Sequence, residues 1–118
     1  MSVAHNNLKR LPHEVVNYGK LRCFDGSHNA ISALPDVIEA WTSLTKLDLE
    51  HNTLKVLPAA IGMCGRLETI WLGHNELVAL PPSFTKLTAL ADLRLSPNEL
   101  TGLPSGFGTG LTDLKELD

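Results

Sequence analysis

Apolar residues recur along the chain in units of 23 residues. Each unit contains a Leu-x-Leu alternation, such as Leu47 and Leu49 around Asp48. A second apolar pair follows with a spacing of three, such as Ile61 and Cys64. A period of two predicts a short strand with one buried face, and a spacing of three predicts a helical turn with an apolar side. The pattern therefore predicts a repeated unit of one strand and one loose helical turn.

Asparagine and proline positions keep the same period. One asparagine follows each predicted strand, at Asn6, Asn29, Asn52, Asn75 and Asn98. One Leu-Pro pair follows each asparagine, at Leu11-Pro12, Leu34-Pro35, Leu57-Pro58, Leu80-Pro81 and Leu103-Pro104. We expect each asparagine to be buried and to hydrogen-bond backbone groups of its own and adjacent turns. Successive strands then stack ~4.8 Å apart in one parallel sheet.

The third unit shows the whole motif, in which L-x-x-L-x-L-x-x-N-x-L is followed by L-P-x-x-I between Leu44 and Cys64. This motif resembles the leucine-rich-repeat superfamily, and in detail its intracellular 23-residue L-P-x-x-I subclass of Ras-binding and Scribble-like scaffold proteins. The resemblance implies an α/β solenoid, a horseshoe segment with short parallel β-strands on the concave face and an irregular, helical-turn convex side. It makes residues 1–118 a single leucine-rich-repeat array of about five units.

Proteins of the resembled subclass act as scaffolds and as regulators of small GTPases or signalling complexes. The resemblance therefore implies a protein–protein interaction module that binds a protein or peptide partner on its concave face. An alternative interpretation is a structural subunit of a larger assembly, held through its ends and its convex side.

Three places depart from the repeat. Gly26 occupies a slot that holds Val or Leu in the other units, and we expect the large Phe24 to fill the space. The last unit carries one extra residue within 105–111. Neither end has a capping unit, which predicts either a fragment of a longer protein or a subunit whose ends partners cover. Self-association through apolar end residues is expected, at Val3, Leu8, Leu11, Leu114 and Leu117.

Composition narrows the class of partner. The chain has 43% hydrophobic and 19% charged residues, which is typical of a folded globular protein. Its net charge of -3 offers no general attraction to nucleic acid or to anionic membranes. No run approaches the ~20 apolar residues of a membrane span, and no signal peptide is recognisable. We therefore expect a cytoplasmic, intracellular protein.

No catalytic or cofactor motif is recognisable, so an enzyme is not expected. The glycine-rich stretch 106–110 lacks both the G-x-G-x-x-G spacing and the P-loop lysine. Cys23 is predicted to face outward from a strand and Cys64 to face inward from another unit's return segment, which places them too far apart for a disulfide. Reduced thiols are the preferred interpretation.

A histidine precedes four of the asparagines, at His5, His28, His51 and His74. These rings are expected to stack one strand apart at the edge of the sheet. One interpretation is a Zn²⁺ ion shared by neighbouring imidazoles. The simpler interpretation is a border of the sheet that helps to bind a protein. Because no cysteine stands nearby at ligand spacing and Pro97 ends the series, no metal site is predicted.

The outward strand positions are the predicted binding surface. Acidic residues outnumber basic ones there, so a partner with a basic surface is expected. Trp71 is the predicted anchor, flanked across strands by Asp48 and Arg94. The competing interpretation is that Arg94 merely stacks on an exposed ring. The candidate partner-binding residues are Asp25, His28, Lys46, Asp48, Glu50, His51, Thr69, Trp71, His74, Asp92 and Arg94.

Overall fold

The computed structural model describes residues 1–11 and 19–107, and the backbone of 116–117. Its strands form one parallel sheet in which each strand pairs with the next along the chain. The strands are β1 (Cys23–Asp25), β2 (Lys46–Asp48), β3 (Thr69–Trp71), β4 (Asp92–Arg94) and β5 (Glu116–Leu117). A single bridge between Ser2 and Asp25 extends the pairing beyond β1. The predicted stack of parallel strands is confirmed.

The register of the sheet follows the sequence period. Leu47 lies opposite Ile70 and Ile70 opposite Leu93, each 23 residues further along the chain. The last pairing joins Asp92 to Glu116, a step of 24 residues. The step to β5 is thus one residue longer than the others, as the extra residue in the last unit predicts.

In the described part of the chain, three short 3-10 helices run across the far side of the solenoid. They are η1 (Asp36–Ala40), η2 (Ala59–Met63) and η3 (Pro82–Lys86). Each begins directly after the proline of a Leu-Pro pair, whose backbone is extended, with φ of -69° and ψ of 151° at Pro58. No helix in these described ranges is long and apolar enough to cross a membrane.

The core lies between the sheet and the 3-10 helices. Leu47, Leu49 and Ile70 are fully buried from the strand side, and Ile61 and Cys64 are fully buried from the return side. Trp41, which sequence alone also places in the core, is fully buried with its ring centroid 5.2 Å from that of Phe24. Every unit thus covers its neighbour's apolar side, as a solenoid requires.

The asparagines end each strand as predicted. The Asn52 amide nitrogen donates to the carbonyl oxygens of Gly26 and Leu49 at 3.0 Å each, and its side-chain oxygen accepts from the amide of Ile31 at 2.9 Å. Asn52 is buried, whereas Asn6 is exposed and bonds only its own turn, at Val3 and Ala4. The side chain therefore joins consecutive units of the array.

Two apolar positions differ from the uniform ladder. Leu103 is 48% exposed, although Leu57 and Leu80 at the same place are buried. The expectation of an exposed Leu11 is wrong, because its side chain is 5% exposed and belongs to the core. Leu114 lies outside the described residues, and so does the Leu117 side chain.

Gly26 and Phe24 form a complementary pair. A Cβ atom at position 26 would lie 2.8 Å from a ring carbon of Phe24 and 3.1 Å from a methyl of Leu49, so the phenyl ring already occupies the space of the missing side chain. We expect Gly26→Leu alone and Phe24→Leu alone each to destabilise the protein, by overpacking and by a cavity respectively, at ~1–3 kcal/mol apiece. The double variant should recover part of that loss, which a double-mutant cycle in urea measures. Strict additivity would show that the two positions do not share one space.

Candidate functional site: the sheet face and the histidine column

The outward side of the strands forms one surface, here called the sheet face. Because side chains alternate along each strand, the central residue of each triplet is buried and its two neighbours point outward. The positions two residues beyond each strand continue the same surface. The sheet face consists of Cys23, Asp25, Ser27, Lys46, Asp48, Glu50, Thr69, Trp71, Gly73, Asp92, Arg94 and Ser96.

Trp71 lies between two cations on this face. The Lys46 Nζ atom is 3.8 Å from the ring centroid, and the guanidinium carbon of Arg94 is 4.1 Å from it. These side chains come from β2 and β4, the strands on either side of β3. Cations over an indole ring are attracted by its negative π-face. The Arg94 contact of the competing interpretation is therefore present, and Lys46 adds a second contact to the ring.

A hydrogen bond fixes the edge of the same indole ring. Nε1 of Trp71 donates to Oδ2 of Asp92 at 2.9 Å. The other carboxylate oxygen of Asp92 lies 3.6 Å from Nε of Arg94, and no hydrogen bond from a described residue reaches it. Trp71 remains half-buried, so part of its ring faces solvent. The ring is thus held in one orientation before any partner arrives, which lowers the entropy lost on binding.

Lys46 contacts the Trp71 ring although the two residues are not directly opposed in the sheet. The β2–β3 register pairs Trp71 with Asp48 and pairs Lys46 with Thr69. A diagonal neighbour lies only ~7–8 Å away, within reach of a lysine side chain. The diagonal relation between positions 46 and 71 is the signal in the sequence that identifies this contact.

Asp25 is held ionised by its local hydrogen bonds. Partial burial raises the pKa of this carboxyl. Hydrogen bonds from the Ser27 hydroxyl at 2.7 Å and the Ser27 amide at 3.0 Å act in the opposite direction, and together with weaker contributions they bring the net pKa below the ordinary value. Ser27 is itself buried, at 8% exposure, although its position faces outward. Asp25 therefore contributes a negative charge to the sheet face across the neutral range of pH.

The net shift of the Asp48 pKa is upward. Burial raises its pKa above the ordinary value, and the neighbouring negative charge of Asp25 raises it further, against a lowering hydrogen bond from the Glu50 amide. Asp25 and Asp48 are directly opposed in the β1–β2 pairing. A cationic group placed over these two carboxylates would relieve their repulsion, which makes the pair a favourable position for a basic side chain of a partner.

The backbone at Gly73, two residues beyond Trp71, packs closely against the next unit. A Cβ atom at position 73 would lie only 2.5 Å from the Ser96 carbonyl oxygen and 3.3 Å from Oε1 of Glu50, so only glycine fits there. The Glu50 carboxylate lies over this position.

The four histidines form a stacked column along one border of the sheet face, here called the histidine column. Ring centroids are 4.4 Å apart between His5 and His28, 4.3 Å between His28 and His51, and 4.0 Å between His51 and His74. Neighbouring rings are within 13° of parallel, and all four side chains are exposed. The predicted stacking one strand apart is confirmed.

The backbone explains the column's regularity. All four histidines have φ between 54° and 57°, a left-handed conformation that few non-glycine residues adopt. In it the His51 amide donates to the Gly73 carbonyl at 3.0 Å, continuing the inter-strand bonding beyond the strand. Pro97, which has no N–H to donate, ends the series.

The column is not built as a metal site. The lone pairs of an imidazole lie in the plane of its ring, so nearly parallel stacked rings direct them side by side rather than toward one point. Within residues 1–11 and 19–107, no group of three or more His, Cys, Asp or Glu side chains is arranged to hold an ion.

Cys23 is exposed on β1 and Cys64 is buried, where desolvation raises the thiol pKa to about 11.

Comparisons with known proteins agree with this architecture. Residues 43–64 and 66–87 match the family model described as Leucine Rich Repeat. A leucine-rich-repeat protein of Leptospira interrogans superposes with a TM-score of 0.64 at 24% identity, covering 100% of this chain and 38% of that one. A chain of the PEPR1-AtPEP1 crystal structure superposes with a TM-score of 0.82 at 27% identity, covering 92% of this chain and 16% of that one. No curated protein matches the chain.

The repeats and the parallel sheet show an α/β solenoid with the leucine-rich-repeat fold. The chain spans well under half the length of either solved chain. Leucine-rich repeats in general serve protein–protein interaction, and their sheet supplies an extended binding surface. The candidate residues predicted from sequence lie together: Asp25, Lys46, Asp48, Glu50, Thr69, Trp71, Asp92 and Arg94 on the sheet face, with His28, His51 and His74 along its border.

Proposed function

We propose that this protein is a non-enzymatic interaction module whose sheet face binds a protein or peptide with a basic surface. The observation that carries the proposal is Trp71, an outward tryptophan held by two cations and a hydrogen bond while part of its ring stays accessible. Tryptophan and arginine are the residues most enriched at binding hot spots. No packing requirement of the core accounts for an indole at this position.

The distribution of charge supports a basic partner. Asp25, Asp48 and Glu50 lie on adjacent strands at one end of the face, where burial and then the charge of Asp25 raise the pKa of Asp48. Lys46 and Arg94 are already engaged with the indole ring, and Arg94 also with Asp92. The carboxylates are therefore the charges left for a partner to neutralise.

The resemblance in sequence extends the proposal to partner class and location. The L-P-x-x-I pattern occurs at Leu34–Ile38 and Leu57–Ile61. On that basis we propose the scaffold subclass, with a small GTPase or another signalling protein as partner and a cytoplasmic location. The name PEPR1-AtPEP1 pairs two components, and its chain is similar to this one. This likeness supports a protein or peptide as the bound molecule.

Trp71→Ala is the direct test. We expect it to weaken binding of a partner identified by quantitative pull-down at least tenfold, because the variant loses the anchor and the two cations that the ring orients. Because the ring is half-buried and bonds Asp92, the melting temperature should also fall slightly. Isothermal titration calorimetry with the purified partner measures the affinity, and circular dichroism confirms that the variant is folded.

Met63→Glu provides the matched control on the opposite side of the molecule. Met63 is 59% exposed at the end of η2, far from the sheet face in the layered fold. We expect this variant to bind the partner as the wild type does. If Met63→Glu abolished binding while Trp71→Ala did not, the interaction would belong to the convex side, as in the structural-subunit interpretation.

A further inference from the structure

The histidine column borders the acidic part of the sheet face. His51 directly follows Glu50 in the chain, and both Glu50 and Asp48 act electrostatically on the His51 ring. His28 acts in the same way on Asp48. The column holds four titratable rings, and the described part of the face holds as many carboxylates, at Asp25, Asp48, Glu50 and Asp92.

Proton uptake by His51 is opposed by its two neighbours in the column. The His28 and His74 rings stand 4.3 and 4.0 Å from the His51 ring, so a positive charge on either disfavours a proton on His51. The charged groups acting on His51 are His28 and His74 within the column, with Glu50 and Asp48 on the sheet face. Beyond Asn75, the half-buried Glu76 is the next acidic group along the chain.

We propose that the histidine column is a proton-controlled gate on the sheet face. With neutral imidazoles the face is acidic and binds a basic partner, and with protonated imidazoles it loses its net negative charge and releases that partner. The inference rests on the proposed function and adds its regulation. Histidine suits this role because its ordinary pKa of ~6.5 places the charge change in the mildly acidic range.

The surroundings of His51 determine how its contribution to the stability of the fold changes with pH. Desolvation lowers its pKa first, and the positive charges of His74 and His28 lower it further. The unfolded chain therefore takes up this proton before the folded chain does. Consequently the contribution of His51 to stability is fully present above its ordinary pKa of ~6.5 and is lost as the pH falls below that value toward the folded pKa.

Titration of the free protein tests the coupling without any partner. Imidazole resonances followed by NMR should give a His51 pKa below the ordinary value in the wild type. In the His28→Asn/His74→Asn variant the His51 pKa should rise, because both neighbouring charges are gone. Asparagine is the replacement of choice because it accepts a positive φ. An unchanged His51 pKa in the folded variant would overturn the coupling on which the gate depends.

Binding of an octalysine peptide tests the gate itself. Lysine keeps its charge between pH 5.5 and 7.5, so only the protein titrates. At constant ionic strength we expect the wild type to bind at least fivefold more weakly at pH 5.5 than at pH 7.5. The variant His28→Asn/His51→Asn/His74→Asn should change less than twofold over the same interval. Asp48→Asn should weaken binding at both pH values, which marks the site of contact.

The outcomes separate the gate from the proposed function. Octalysine binding that is equally dependent on pH in the triple variant, or independent of pH in the wild type, would overturn the gate and leave the acidic sheet face intact. Absence of octalysine binding to the wild type at pH 7.5 would instead contradict the basic partner, and the gate with it. Equal binding by the wild type and Asp48→Asn would move the contact away from the sheet face.

Discussion

Replacing Asn52 by alanine is expected to lower the free energy of unfolding by ~2–4 kcal/mol, because buried backbone groups of two units lose their partner at once. The side-chain nitrogen of Asn52 donates to the carbonyls of Gly26 and Leu49, and its side-chain oxygen accepts from the Ile31 amide. The site is buried, so water cannot replace these bonds without opening the turn. Urea denaturation followed by circular dichroism measures the change.

Asn6→Ala is the matched control. Asn6 occupies the same repeat position but is exposed and donates only within its own turn. We expect a loss below ~1 kcal/mol, since solvent satisfies the freed groups. Asn52→Asp should separate the two halves of the amide, because it keeps the oxygen that accepts from Ile31 and removes the donor to the carbonyls. Equal losses for Asn52→Ala and Asn6→Ala would contradict a role in joining consecutive units.

Leu72→Ala is expected to destabilise the protein by ~2–5 kcal/mol, the range for deleting most of a leucine side chain from a closed core. Leu72 is fully buried immediately after β3, with units on both sides of it. Leu49, one unit earlier, is equally buried, and Leu49→Ala should behave similarly. The measurement is urea denaturation of all variants under one set of conditions, with the slope compared as a check of two-state unfolding.

Leu103→Ala makes the same chemical change at an exposed position. Because the Leu103 side chain is 48% exposed, its truncation removes little buried surface, and the loss should stay well below that of Leu72→Ala. A loss at Leu103 as large as that at Leu72 would mean that the return segment after Pro104 is covered in solution. The sequence also predicts a much smaller loss for Leu111→Ala, a residue that lies outside the described part of the chain.

The energetic arrangement separates stability from binding within each unit. The buried residue of each strand and the asparagine that follows the strand hold the solenoid together, while the flanking strand residues are free to vary with the partner. Trp71 stands between these groups, since it contributes contacts to Lys46, Arg94 and Asp92 and also offers an exposed surface. Most of the sheet face can therefore be changed with little effect on the fold, with Trp71 and Gly73 as exceptions.

The periodic part of the structure was readable from the sequence because identical neighbours impose identical environments. Once Asn29, Asn52 and Asn75 are recognised at equal steps, the strand register, the buried face and the stacking of the histidines follow from repetition alone. The replacement of a leucine by Gly26 beside the larger Phe24 was also readable, since volume in a closed core must be conserved.

Tertiary structure decided whatever depends on how far a side chain reaches and how deeply it lies. The sequence placed Lys46 opposite Thr69, but only the folded sheet shows its ammonium group over Trp71. It placed Leu103 in the apolar ladder, but the folded chain leaves this side chain 48% exposed while Leu57 and Leu80 at the same place are buried. Period and residue type determine backbone register, because hydrogen bonding repeats strictly, whereas contacts between flexible side chains depend on the particular neighbours present in three dimensions.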